Sequence, residues 1–521
     1  MNRLVLMIVA LLAVLSAGAA PLGDTTPFET RRNVASTNPI DALVEASLEQ
    51  QNIRSANRCS DAVFVRRAYL DVIGMLPKPK EVQDFLKADD ADKRARLIDE
   101  LLVRPAFADY WAMKWSDLLR VKAEFPINLW PNAVQAYHRW IYDAIRNNIP
   151  YDRFARALLT SSGSNFRVPQ VNFYRAMQGH EPATIAATVA LTFMGTRIEN
   201  WPEDRRAGME ALFSRVAYKP TAEWKEEIVY LNPAPAKTLQ VVLPDGAPVA
   251  IDPDMDPRQL FAAWLTEKEN PWFARNVVNR LWAWLMGRGI IHEVDDIRPD
   301  NPPVNPELLA CLEKELLRSN YDLKHIYRLI LTSQTYQRSS IPRSDDPAAE
   351  KLFAFYPVRR LDAEVLIDAL TGIFGGSERY SSRIPEPFTF LPNDYRTVAL
   401  ADGSITSAFL ELFGRPARDS GFASERNNEI TDAQRLHLLN STHIQKKIRD
   451  SWKTKQFVRL AKKDPRQGIR SIYLHLLSRP PTEAEIEAIV RYAEQNNVEV
   501  RQAVEDLVWS LVNSKEFLYR H

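Results

Sequence analysis

The chain has 521 residues, 45% of them apolar, and its 67 Lys plus Arg nearly cancel 66 Asp plus Glu to leave a net charge of +1. That length gives roughly two to four domains with ample material for cores. The charge balance offers nothing for counterion-driven nucleic-acid binding, and no basic arm or stripe stands out. Cys59 and Cys311 are the only cysteines. They exclude a disulfide scaffold and any Cys-x-x-Cys zinc pair, and leave one long-range bridge or two separate thiols. The twelve tryptophans read as core aromatics of a helical protein.

Residues 1–19 read as a secretory signal. Arg3 supplies the positive start, Leu4 to Leu15 the apolar run, and Ala17-Gly18-Ala19 the small-residue cleavage site, with cleavage after Ala19. The run is short for a membrane span, and no second long apolar run follows. No cysteine near the cleavage point offers a lipid anchor, so the mature chain is expected to be periplasmic or secreted. Residues 20–38 form a flexible leader.

From residue 39 the pattern is mainly α. It divides into an N-terminal helical domain over 39–217, a short β insertion or linker over 218–257 and a C-terminal helical domain over 258–521. Pro39 opens the first helix, Ser60 caps the second and Gly74 ends it. Further helices are predicted near 80–87, 92–103, 107–121, 130–147, 152–161, 182–193 and 203–215. EEIVYL and TLQVVLPDGAPVAI read as short strands, the second pair around a Pro-Asp-Gly turn. The two ends echo each other: Tyr69, Pro77 and Glu81 in VRRAYLDVIGMLPKPKEVQDFL match Tyr473, Pro481 and Glu485 in IRSIYLHLLSRPPTEAEIEAIV. A duplicated helical hairpin used for packing accounts for the echo.

The organising stretch runs from Asn270 to Arg338. Pro271 is placed at a first helical turn, and Gly287 and Gly289 close the helix. Phe273, Val277, Leu281 and Trp284 form one face; Arg275, Asn279, Trp282 and Met286 form a second that suits ligand binding or a polar helix contact. The loop that follows gathers Glu293, Asp295, Asp296 and Asp300 with Asn301 and Asn305. Calcium takes such oxygen ligands, but the spacing departs from the EF-hand loop. Pairing with Arg275, Arg280 or Arg298 is the reading adopted. Asn305-Pro306 and Asp322 start the next two helices. Asp362, flanked by Leu361 and Leu366, caps another, and Gly372 to Thr406 is a long irregular segment.

A second polar cluster holds Arg415, Arg418, Asp419, Glu425, Arg426, Asn427 and Asn428, just before a Thr431/Gln434 capping box. It reads as a solvated, internally paired loop, with anion binding at the helix start as the alternative. His437 and His443 are six apart and should face different sides, so no metal pair is expected. No His-Glu-x-x-His, Gly-x-Ser-x-Gly or phosphate-cradling glycine motif appears.

FVRRAYLDVIGMLPKPKEVQDFL and KRARLIDELLVRPAFADYWAMKWSDLLRV resemble the planctomycete cytochrome-associated domain-of-unknown-function family 1549. NPWFARNVVNRLWAWLMGRGI, YDLKHIYRLILTSQTYQRS, FGRPARD and QRLHLLNS resemble its usual companion, family 1553. The resemblance implies an exported bacterial protein without an established activity, often encoded beside a sulfatase-like protein, and carries over no catalytic residue. Many relatives hold a Cys-x-x-Cys-His insert after the segment matching LTFMGTRIE. Here Glu199 runs through Asn200 straight into Trp201, so covalent c-type haem has no attachment site and no cofactor is expected. The expected role is a binding or assembly module for an exported partner, without nucleic acid. A hydrolase or accessory for polysaccharide or sulfated glycan is the alternative, and a haem-free relic of an electron-transfer protein the third reading.

Overall fold

Helix punctuation sets most element boundaries. The computed structural model describes residues 27–30, 36–233, 238–387, 389–392 and 394–521; the predicted signal, residues 1–19, and much of the leader lie outside the described residues. The fold is mainly α, with short strands only. Asn38 accepts from the Ile40 amide to start the helix Pro39–Gln50, and Ser60 accepts from the Val63 amide to start Asp61–Ile73. Gly74 ends the latter at φ 60°, where an added Cβ would lie 2.6 Å from the Tyr110 ring. Asn305, Asp322 and Thr431 cap Pro306–Arg318, Leu323–Thr332 and Asp432–Asn440. Residues 27–30 are tied down: Glu29–Thr30 pairs antiparallel with Arg58–Cys59. Cys59 and Cys311 are both free thiols.

Two caps differ from expectation. The organising helix is Phe273–Met286, so Pro271 stands outside it. Asn270 Oδ1 instead accepts from the amides of Trp272 and Phe273, at 3.1 Å each. Asp362 precedes Ala363–Phe374 but makes no capping hydrogen bond; its carboxylate is drawn into a buried ion network.

The β segment forms two small sheets. Val216–Pro220 and Glu227–Leu231 pair antiparallel, and Gly163–Ser164 adds to the other edge of Glu227–Leu231. Leu239–Val242 and Pro248–Ile251 form the predicted hairpin. Gly163–Ser164 sits in what reads as loop, because two residues carry no alternation to betray a strand.

Buried apolar residues from Ile40 to Leu518 form one connected core. Helices from both halves of the sequence interleave in it: Pro39–Gln50 packs on Pro306–Arg318, Lys93–Val103 on Leu323–Thr332, and Tyr151–Thr160 on Pro257–Leu265. An aromatic seam joins them. Trp111 lies 4.3 Å from Tyr327 and 5.6 Å from Trp284, Trp115 meets Trp284 edge-on at 5.5 Å, and Tyr151 stacks on Phe273 at 4.8 Å. Such ring pairs add to the area they bury.

The sequence echo is physical. Asp61–Ile73 with Pro79–Lys87, and Pro465–Leu476 with Glu483–Gln495, form matching hairpins. In each a glutamate accepts from the amide three residues before it, Glu81 from Lys78 and Glu485 from Thr482. An arginine completes each set, lying over the tyrosine ring and reaching the glutamate: Arg104 over Tyr69 and Arg479 over Tyr473. The arginines come from different places, Arg104 after the hairpin and Arg479 from its turn. Arg66 ties the two units together by donating to the carbonyls of Leu476 and Phe517 at 2.7 and 3.0 Å.

Trp111→Ala should cost about 3–5 kcal/mol, the usual range for removing a buried aromatic ring. With the core shared between halves, far-UV circular dichroism and tryptophan fluorescence should report one coincident unfolding transition.

Candidate functional site

The helix Phe273–Met286 ends at Gly287, in the left-handed region at φ 82°, and the chain beyond it turns along the rim of a cleft of about 1020 Å³. Residues 287–294 border one side and residues 416–430 border another, so the two polar loops singled out in the sequence meet in one cleft. Tyr110, Lys114 and Asp117 reach it from the helix Pro105–Leu118, Arg359, Arg360 and Asp362 from the segment before Ala363–Phe374, and Tyr519 and Arg520 from the last strand. That strand, Tyr519–Arg520, pairs antiparallel with Arg359–Arg360. Gly414 permits the approach of the 416–430 loop: an added Cβ would lie 1.9 Å from the Asn427 carbonyl oxygen.

Three buried carboxylates, the half-buried Asp117 and their cations hold these segments in register. Asp362 Oδ1 accepts from Lys114 Nζ and Asn428 Nδ2 at 2.9 Å each, and its Oδ2 accepts from Tyr110 Oη at 3.1 Å and Arg520 Nη2 at 2.9 Å. Arg426 forks onto Glu364 at 2.8 and 3.0 Å and onto Asp117 at 2.7 Å. Arg418 donates to Asp117 at 2.9 Å, and Arg415 lies 3.4 Å from Glu364. Asp71 accepts from Tyr336 and Tyr356 at 2.8 Å each and pairs with Arg520 at 2.9 Å. Burial opposes ionisation of Asp362, but Lys114, Arg520 and Arg426 overcome it and hold the carboxyl well below its ordinary value. Glu364 is likewise held low, by Arg426 and then Arg415 against its burial. Burial, and then the charge of Arg426, push the Lys114 ammonium down to about 8 despite Asp362 beside it.

The cleft lining carries seven Lys or Arg side chains against four carboxylates. Most are committed. Arg280 donates to Asp295 at 2.7 Å; Arg359 donates to the Trp284 carbonyl at 2.9 Å and the Leu285 carbonyl at 2.6 Å; Arg360 donates to the carbonyls of Asn428, Phe413 and Asn427. Arg288 differs. Among the described residues it makes no hydrogen bond and no ion pair; Arg280 and Arg359 also keep an orphaned Nε, but their other nitrogens are bonded.

Of the residues predicted from sequence, Arg280, Arg426 and Asn427 line the cleft. Asp295 acts behind the wall: it accepts from Arg280 and, through Oδ2, from the Ala423 amide at 2.7 Å, which fastens one loop to the other. Asp296 pairs with Arg298 at 3.1 Å at the surface. Arg275 pairs with Glu313 at 2.8 Å on the helix Pro306–Arg318, not with the acidic loop. Asn279 and Trp282 are fully buried, so their face is no ligand surface. Asn279 instead exchanges two 2.9 Å hydrogen bonds with the backbone of Ile291 and pins the turn.

The 415–428 loop is not a solvated, self-paired loop. Arg418 is fully buried and Arg415 and Arg426 nearly so, and their carboxylates, Asp117, Asp362 and Glu364, lie on other elements. Within the loop, Glu425 Oε1 accepts from the amides of Asp419 and Ser420 at 3.2 and 2.8 Å. His437 and His443 do not face apart, because Ser441 starts a new helix between them; their rings stand 5.8 Å apart, outside the cleft lining, and Glu378 lies 3.2 Å from His443 Nε2. Among the described residues no group of three or more His, Cys, Asp or Glu is placed to hold a metal ion. Sequence reasoning missed Lys114, Asp117, Glu364 and Arg520. A signal existed: Lys114 and Asp117 stand inside the apolar run WAMKWSDLL, and Asp362 and Glu364 inside RRLDAEVLIDAL. A charge there must find a partner or be expelled from the core.

Glu364→Gln should cost about 3–5 kcal/mol at pH 7 by stranding Arg426 and Arg415. Because the folded-state pKa of Glu364 lies below the ordinary 4.5, its stabilisation is present above 4.5 and lost as pH falls through the lowered value. The variant should therefore show a flatter loss of stability on acidification below pH 4.5, measured by urea unfolding at stepped pH.

Two family matches cover most of the chain. Residues 39–201 match PSCyt2, a protein of unknown function (DUF1549), and residues 257–493 match PSD1, a protein of unknown function (DUF1553). No curated protein and no solved structure matches the chain. The cleft draws on both matched segments, with Lys114 in the first and Arg280 and Arg426 in the second. The chain thus belongs to the families described as DUF1549, in its N-terminal half, and DUF1553, in its C-terminal half.

Proposed function

We propose that this chain is an exported binding module whose cleft receives an anionic group carried by a cell-envelope partner. Export rests on the signal-like residues 1–19. The single observation that carries the binding reading is Arg288, a cleft-lining guanidinium that makes no hydrogen bond or ion pair among the described residues, in a lining where cations outnumber carboxylates. A guanidinium presents a planar fork that matches carboxylate, sulfate or phosphate oxygens, so an incoming oxyanion would satisfy a donor left open in the fold. Trp284 and Phe422 border the same space and offer apolar surface to the remainder of the ligand.

The hydrolase alternative began from the acidic loop at Asp295 and the Glu425 loop. Glycoside hydrolysis needs two carboxylates facing one cleft about 5–10 Å apart. Asp295 is spent on Arg280 and the Ala423 amide, and Glu425 on two backbone amides. That reading loses the pair it started from. The electron-transfer reading lacks a haem attachment sequence in this chain.

Calorimetric titration of the full chain with a short acidic peptide, inorganic sulfate and inorganic phosphate tests the proposal. At least one should bind, and Arg288→Ala should weaken it about tenfold or more, equivalent to about 1.4 kcal/mol. Because Arg288 holds no partner among the described residues, the variant's thermal midpoint should stay within the range of an ordinary surface change. Affinity should also decline as pH rises past about 8, where Lys114 loses its charge. No binding by the wild type, or equal binding by Arg288→Ala, removes the reading. Affinity capture on the full chain from an envelope fraction then identifies the partner.

A further inference from the structure

We propose that the outer face of the helix Trp452–Lys463 docks on an anionic lipid bilayer. The chain as a whole is nearly neutral, yet residues 442–470 contain ten Lys or Arg and two Asp. The cations are dispersed along the sequence and become a stripe only when wound at 100° per residue. Trp452, Lys455, Arg459, Lys462 and Lys463 then fall within about 100° of one another. All five are exposed, whereas Thr454, Phe457 and Ala461 on the opposite side are buried in the protein. The helix is therefore anchored by its apolar side and presents its basic side outward.

Lys455, Arg459, Lys462 and Lys463 have no carboxylate partner among the described residues, whereas the neighbouring Arg466 and Arg470 share Glu483. Like charges at i,i+4, as in Lys455/Arg459 and Arg459/Lys463, oppose helix formation. The helix is held against that repulsion from its start, where Ser451 accepts from the Lys453 and Thr454 amides and donates to the Phe374 carbonyl. Trp452 leads the stripe at 64% exposure. An amphipathic indole beside lysines is the composition of a membrane–water boundary, with the ring at headgroup depth and the cations on anionic headgroups. The row is convex and about 18 Å long at 1.5 Å per residue, and a convex row meets a flat surface. A single nucleic-acid strand is held instead in a basic groove with aromatic platforms. Among the described residues no helix is long and apolar enough to cross a membrane, so the attachment is peripheral and salt-sensitive.

The test is sedimentation of the full chain with vesicles of phosphatidylcholine alone, or with a third phosphatidylglycerol, at 0.1 and 0.5 M salt. The neutral vesicles subtract any contribution from the apolar residues 4–15. Excess binding to the anionic vesicles at low salt, lost at high salt, is expected. Lys455→Glu/Arg459→Glu/Lys463→Glu should reduce it at least tenfold, and Trp452→Ala less, with both variants keeping the wild-type circular dichroism. Arg288→Ala should bind these vesicles as the wild type does, which separates this surface from the cleft. No excess binding by the wild type, or unchanged binding by the charge-reversed variant, overturns the proposal. Tighter binding to a single-stranded oligothymidylate or to dextran sulfate than to the anionic vesicles overturns the choice of lipid.

Discussion

Asp362 is a carboxylate with almost no water left to solvate it, and the architecture around the cleft follows from how its charge is met. Taking an ion out of water costs several kcal/mol even after relaxation. Here the cost is offset by Lys114, Arg426 and Arg520 together with Tyr110 and Asn428. These partners come from three separate stretches of chain, and Arg426 and Arg520 pass the demand on to Glu364, Asp117 and Asp71. No stretch can move away without leaving a charge unpaired. The network acts as a lattice that fixes how the 415–428 loop, the helix Pro105–Leu118 and the last strand stand around the cleft.

Beneath this ionic layer the aromatic seam does the matching work without direction. Trp111 and Trp115 from one half of the sequence meet Trp284 and Tyr327 from the other, so neither half presents a complete core face of its own. The paired hairpins show how tolerant such packing is of sequence detail. The same tyrosine–glutamate–arginine set is assembled twice, yet Arg104 reaches it from beyond its hairpin and Arg479 from the turn within its own. What recurs is a spatial arrangement, and the chain supplies its last member from wherever an arginine can reach.

Local signals in the sequence were dependable where the physics is local. Caps at Ser60, Asn305, Asp322 and Thr431 act within three residues, and the hairpin at Pro244-Asp245-Gly246 needs only its own turn chemistry. The same logic misled at Asp362, whose position fits a cap while its charge answers to partners up to hundreds of residues away. The Arg275–Asn279–Trp282 face was legible as a helix face but not as a buried one, since what covers it is set by tertiary packing. The polar loops at 287–305 and 415–437 were recognisable as distinctive. Their meeting, and the depth at which their arginines lie, depend on Gly414 and on contacts between Asp295 and Ala423 that no periodicity encodes. The stripe on Trp452–Lys463 escaped notice because its cations never form a run.

The place of Arg520 gives the molecule a direction in time. Its side chain meets Tyr110, 410 residues earlier in the sequence, and bridges Asp71 and Asp362. Until it arrives, Asp71 lacks its nearest counter-charge and Asp362 one of its three, and the native arrangement is a poorer competitor to looser ones. Contacts of such long sequence separation slow folding because the chain must give up loop entropy before it gains them. A chain that emerges N-terminus first would hold this network incomplete until Arg520 is available. The strand Tyr519–Arg520 then serves as a latch that closes the network.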